Sequence, residues 1–253
     1  MSRRDDIRKL YKIPSILNRI KLILFFIDVF AAFIAFVEIE IVSITAIYIQ
    51  IVAAFLYFVC SVVLDGFFWY RAEKARRKNA VENGLEISMS EFETGEYYNN
   101  PIKPSVEKYA INLLESNYFS KEIAGKMILP SSITSVLAVL TLLLACCFVD
   151  NSKVLLIVAQ TVFSSHILVD TIMLILYKWR LDDLFNEGYY LMITAKKRKT
   201  SYALLIAYAV EYEAIKAHYK IRINEKLFNQ NNEKLSKRWE QILSHKTNHI
   251  KND

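Results

Sequence analysis

The sequence predicts an all-α integral membrane protein with four transmembrane helices in two hairpins and helical cytoplasmic extensions. Two observations carry that class: four long apolar runs, and a one-sided distribution of basic residues around them. The runs cover residues 22–37, 44–64, 128–149 and 154–177. A helix needs roughly 20 apolar residues to cross about 30 Å of hydrocarbon, so the last three suffice and the first must extend past Glu38 towards Val42. Residues 1–21 carry seven Lys and Arg, residues 71–126 nine and residues 178–253 fifteen, leaving Lys153 as the only basic residue in the inter-helix turns. Such asymmetry assigns the basic segments to the cytoplasm. The opposite turns hold Glu38, Glu40 and Asp150.

The chain therefore divides into a cytoplasmic amphipathic amino terminus (1–21), a first transmembrane hairpin (22–70), a cytoplasmic helical linker (71–126), a second hairpin (127–177) and a cytoplasmic helical tail (178–253). A composition of 54% hydrophobic and 23% charged residues suits a protein shared between lipid and water. Cys60, Cys146 and Cys147 all fall in the apolar runs and read as small packing residues without a disulfide framework. The first run follows a basic segment but lacks a small-residue cleavage site, as a retained signal anchor does.

Each cytoplasmic segment has its own pattern. Arg3, Arg4, Arg8 and Lys9 alternate with Ile7, Leu10 and Tyr11, a short amphipathic helix that Pro14 is expected to end, with Ser15 capping the helix into the first span. RAEKARRK (71–78) continues span two helically into the cytoplasm, with no Gly or Pro before Gly84. Residues 88–104 gather Gly95, Pro101 and Pro104 with two asparagines, which marks an irregular loop. Ser105 is then placed to cap a helix to about Lys126, and Pro130 falls in the first turn of span three. Tyr208, Tyr212, Ile215 and Tyr219 repeat at four, three and four residues, one helical stripe that needs a partner within the chain or in another subunit. NQNN (229–232) is the expected break before Leu235, Trp239, Ile242 and Leu243 resume the stripe. GEYY (95–98) and GYY (188–190) are a short local echo between the two halves.

Ionisable and polar groups within the spans are the candidate functional residues, because an unpaired charge in hydrocarbon costs several kcal/mol. They are Asp28, Asp65, Gln160, Ser164, His166, Asp170 and Thr171. His166 and Asp170 stand one helical turn apart and, with Gln160, Ser164 and Thr171, form a broad polar face on span four. Such a face either lines an aqueous path or bonds helices together. A proton relay through His166 and Asp170 fits less well, since four spans with few glycines carry no broken-helix signature. Ser164, two residues from His166 on one helix, points about 200° away from it, which excludes a triad.

No nucleotide-binding, hydrolase or metalloprotease motif occurs, and His218, His245 and His249 lack zinc spacing. The basic clusters Arg76, Arg77, Lys78 and Lys196, Lys197, Arg198, Lys199 follow membrane exits, where contact with anionic headgroups accounts for them better than nucleic acid does. Phe67, Phe68, Trp69 and Tyr70, with Tyr177 and Trp179, read as interfacial aromatic belts.

Two tight hairpins joined by about 60 cytoplasmic residues, a helical tail and RAEKARRKNAVENG (71–84) leaving span two together resemble the SMODS-associated four-transmembrane effectors and related SLATT membrane proteins of bacterial antiphage operons. The resemblance implies a pore-forming, membrane-permeabilising effector of the inner membrane, and the polar face of span four with the Tyr208, Tyr212, Ile215, Tyr219 stripe adds the expectation of a homo-oligomer. The resemblance further implies a trigger from a sensor or nucleotidyltransferase encoded nearby, or from a cyclic nucleotide ligand, with no binding residue carried over. The alternative is a constitutive small channel, transporter or membrane scaffold. In either case reporters fused to the two termini should both score cytoplasmic, and an external reporter at either end would overturn the topology.

Overall fold

The computed structural model describes residues 6–35, 39–89, 91, 98, 100–148, 159, 167–194 and 202–251. Its regular elements are all helical: a 3₁₀ turn Asp6–Tyr11, then α1 (Lys12–Ile34), α2 (Glu40–Val63), a π-helical segment Leu64–Trp69 and α3 (Tyr70–Leu85). There follow α4 (Val106–Phe148), α5 (Ile167–Tyr189), a second π segment Tyr190–Thr194, α6 (Tyr202–Tyr219) and α7 (Glu225–Lys251). The chain forms two units. One joins Asp5–Arg76 to Ser132–Asp170 and the other joins Arg77–Ser131 to Thr171–Asp253.

In the first, or hairpin, unit α1 and α2 pack along one another, and their buried side chains include Phe25, Ala31, Ala32, Ala46 and Ala53. Alanines at a crossing let two backbones approach closely, which is how helices associate where apolar burial gives no preference over lipid. Ser43 Oγ closes the turn by donating to the Ala35 carbonyl at 2.7 Å, satisfying an oxygen that the end of α1 leaves free. The other faces are apolar and uncovered, with Phe30 67%, Ile41 78% and Phe55 63% exposed.

Two helical stretches among the described residues, Glu40–Leu85 and Val106–Leu144, are long and apolar enough to cross a membrane. Only 11% of the most apolar window of each is buried against the chain, unlike the core helix of a soluble protein.

The second, helical, unit has a conventional interior. Ile111, Leu114, Tyr118 and Ile123 of α4 meet Leu174, Tyr177, Leu181 and Phe185 of α5, and α6 and α7 close the core with Leu205, Tyr208, Tyr212, Leu235 and Trp239. Ser105 caps α4 as expected, its Oγ accepting from the Lys108 N–H at 3.1 Å. At two helix contacts a glycine permits close approach. A Cβ on Gly84 would stand 2.6 Å from Tyr109 Cβ and 2.7 Å from its Cα, and one on Gly188 would stand 2.5 Å from the Tyr208 ring.

Several expectations are corrected. Pro14 does not end an amino-terminal helix but lies buried in the first turn of α1, where its missing N–H costs nothing, so Ser15 is inside that helix and caps nothing. Ile7 is fully buried rather than turned to lipid. Pro130 lies inside one continuous 43-residue helix, not at the start of a new one. NQNN (229–232) is helical: the break comes earlier, at Lys220–Asn224, where Lys220 takes the left-handed conformation (φ 51°) and the Asn224 side chain accepts from the Leu227 N–H at 3.0 Å. The propensity cost of asparagine is below about 0.7 kcal/mol per residue, and anchoring by Phe228, Leu235 and Trp239 outweighs it.

Gly84→Ala should lower the stability of the helical unit by about 1–3 kcal/mol, because backbone atoms must move to admit the methyl. Gly66→Ala meets nothing within 4 Å and should be neutral or slightly stabilising through helix propensity. Melting of the two variants in detergent checks the contrast.

Candidate functional site

Asp28 is half-buried on α1, while Asp65 is exposed in the first π segment and Asp170 is exposed in the first turn of α5. Gln160, Ser164 and His166 lie outside the described residues, so the polar face of span four is represented by Asp170 and Thr171 alone. Thr171 is buried, and its hydroxyl shares a 2.6 Å hydrogen bond with Ser131 Oγ and lies 3.3 Å from the Ser131 carbonyl. Thr171 thus ties α5 to α4. In the hairpin unit Ser135 Oγ likewise donates to the Ile167 carbonyl at 3.3 Å.

Of the basic clusters, Lys196, Lys197, Arg198 and Lys199 lie outside the described residues. Arg76, Arg77 and Lys78 are half-buried. The Arg76 guanidinium stands 5.7 Å from the centre of the Tyr11 ring and Lys78 Nζ donates to the Met89 carbonyl at 3.4 Å, so both side chains have protein partners. The aromatic belts divide in the same way: Phe67, Tyr70 and Trp179 are exposed, whereas Tyr177 is 1% exposed inside the helical unit, 6.0 Å from the Tyr219 ring.

The tyrosine stripe of α6 faces inward. Tyr208, Tyr212 and Ile215 are buried in their own chain and are not available as a seam between subunits. Asn117, fully buried on α4, organises this contact. With its amide oxygen accepting from the Phe185 N–H at 3.2 Å and from the Tyr208 hydroxyl at 3.1 Å, its nitrogen donates to the Leu181 carbonyl at 3.1 Å. One side chain therefore joins α4, α5 and α6, and every polar atom it carries is used. Ser120 and Tyr212 hydroxyls lie 3.4 Å apart beside it.

An open cleft of about 500 Å³ lies on the same unit between Tyr118, Glu122, Phe185, Tyr189, Arg238 and Ile242. Its floor is aromatic: Tyr118 stacks on buried Trp239 at 5.9 Å and lies 5.7 Å from Phe185. Lys121 Nζ sits 4.1 Å from the centre of the Phe185 ring and 3.5 Å from Asp182 Oδ1. Sequence reading missed Asn117, Lys121 and Asp182, since a polar residue within an amphipathic helix looks the same whether it faces water or a partner. Larger and wholly different is the crevice of about 980 Å³ in the hairpin unit, walled by apolar residues including Phe26, Phe30 and Ile41. Among the described residues no three His, Cys, Asp or Glu side chains gather as metal ligands. The chain matches no family model, no curated protein and no solved structure.

Burial raises the ionisation of Tyr208 and Tyr212 well above the ordinary tyrosine value, and that of Tyr109 and Tyr118 in the same direction, assisted by Glu213 and Glu122 respectively. The native state therefore holds protons on these phenols that the unfolded chain releases near pH 10. Their contribution is complete below about pH 10 and is lost as pH rises beyond it. Tyrosinate absorbance should appear together with loss of helical signal in an alkaline titration, and Tyr208→Phe should make the transition less steep.

Proposed function

We propose that this chain is a four-span inner-membrane protein with both termini in the cytoplasm, which permeabilises the bilayer as a homo-oligomer in a bacterial antiphage response. The observation that carries the membrane part is the exposure of two membrane-length apolar helices, each with its most apolar window only 11% buried. Large side chains such as Phe30, Ile41 and Phe55 outside water need lipid or further protein around them. Support for regulated permeation comes from the division of labour. The hairpin unit is apolar on its surface, whereas the helical unit is a folded domain with its own core and an aromatic and charged cleft of a size that takes a small ligand. The defence setting, and a trigger by a partner or nucleotide second messenger, rest on architectural resemblance.

In this reading subunits associate through the exposed apolar faces of the hairpin unit, since the α6 tyrosines are buried in their own chain. A specific observation favours a second reading, a constitutive channel or scaffold: the Ser131–Thr171 bond makes part of the span-four polar face an adhesive between helices.

Asp170 separates the readings. If it faces a conducting path, Asp170→Asn keeps its size and hydrogen bonding while removing a charge, so ion selectivity or conductance in liposomes should change with assembly intact. If it joins helices, Asp170→Asn should be nearly silent and Asp170→Leu should reduce assembly. Unchanged flux in fully assembled Asn and Leu variants would remove Asp170 from the path. Induced expression of the unaltered chain should depolarise cells, and failure to do so under any trigger condition would contradict permeabilisation.

A further inference from the structure

We infer that the amino-terminal segment Asp6–Tyr11 is a strap that locks the junction of α2 and α3 in one of two helical registers. The junction is the π-helical segment Leu64–Trp69, which holds one residue more than regular α winding would place there. Rewinding it as α-helix turns everything beyond it by about 100°. Gly66 lies in its centre, where even an added Cβ would meet nothing within 4 Å, so the segment is loosely packed at that point.

The strap reads the π register directly. Ile7 and Leu64 are both fully buried, and the 3₁₀ turn packs on the π segment. Tyr11 then makes three contacts with one face of the helix that follows. Its ring meets Trp69 edge-on at 5.8 Å and 77°, its hydroxyl donates to Glu73 Oε1 at 2.7 Å, and the Arg76 guanidinium lies 5.7 Å from its centre. Trp69, Glu73 and Arg76 are spaced by four and three residues, so they form one helical stripe. A 100° turn would carry that stripe off Tyr11 and break all three contacts together. The contacts exist only in the π register, and each therefore favours it. A hydrogen bond to a carboxylate is among the stronger of such bonds, and partial burial protects it.

This assignment concerns the winding of the junction and stands apart from permeation. Under the function proposed above, releasing the strap is the step that would pass a rotation of α3 to the spans.

The test uses full-length protein in nanodiscs, with Cys60, Cys146 and Cys147 replaced by alanine. Ala72→Cys is the reporter, since Ala72 is fully buried in the π register, and exposed Lys74→Cys gives the labelling rate of an open site. Maleimide should label position 72 slowly in the parent. Tyr11→Phe loses only the hydroxyl and should label about tenfold faster, the factor that one net hydrogen bond supplies. Tyr11→Ala should label faster still, whereas Glu73→Gln retains an acceptor for the hydroxyl and should stay protected. Unchanged protection in both Tyr11 variants would overturn the strap, as would equal opening by Glu73→Gln and Tyr11→Phe, which signals general loosening. Dye flux from vesicles carrying the same variants is read separately. Faster labelling without flux leaves the strap in place and counts against permeation, and flux without faster labelling does the reverse.

Discussion

Large apolar side chains cannot be left in water without cost, and the way this chain meets that constraint differs between its two units. A buried Leu or Phe is worth about 1.5–3 kcal/mol, so a row of them left uncovered is not a surface an aqueous protein keeps. In the helical unit they turn inward around Tyr118, Tyr177, Tyr212 and Trp239. In the hairpin unit they turn outward, with alanines at the helix crossing in their place. Each arrangement suits one solvent and would fail in the other.

Polar groups follow the same division. Asn117 makes three hydrogen bonds, to two backbone groups of α5 and the Tyr208 hydroxyl, which converts a costly buried amide into a link among three helices. Thr171 and Ser131 satisfy one another. Tyr11 reaches Glu73 from a segment whose Ile7 is buried, so the amino terminus works as a packing element beyond its role as a basic flank.

What the sequence made legible was whatever depends on local periodicity. The Ser105 cap, a single stripe along α6 and the helical exit after the second apolar run all appear as expected. Pro14, Pro130 and the asparagines at 229–232 were misread because local preference was set against packing too distant in sequence to see. The π segment at Leu64–Trp69 left no compositional trace, since one extra residue in a helical turn changes register and not residue type. For the candidate site, periodicity identified a polar face on span four but not the partners of its members. Thr171 shows the consequence, because its bond to Ser131 depends on a residue 40 positions away.

The central claim is that the hairpins cross a bilayer with the linker and tail on the basic side. Single cysteines at positions 87 and 151, in a background without native cysteine, test it in intact cells with a membrane-impermeant maleimide. Position 151 should label rapidly and position 87 not at all until the cells are lysed. Labelling at 87 in intact cells, silence at 151, or recovery of the protein in the soluble fraction would contradict it.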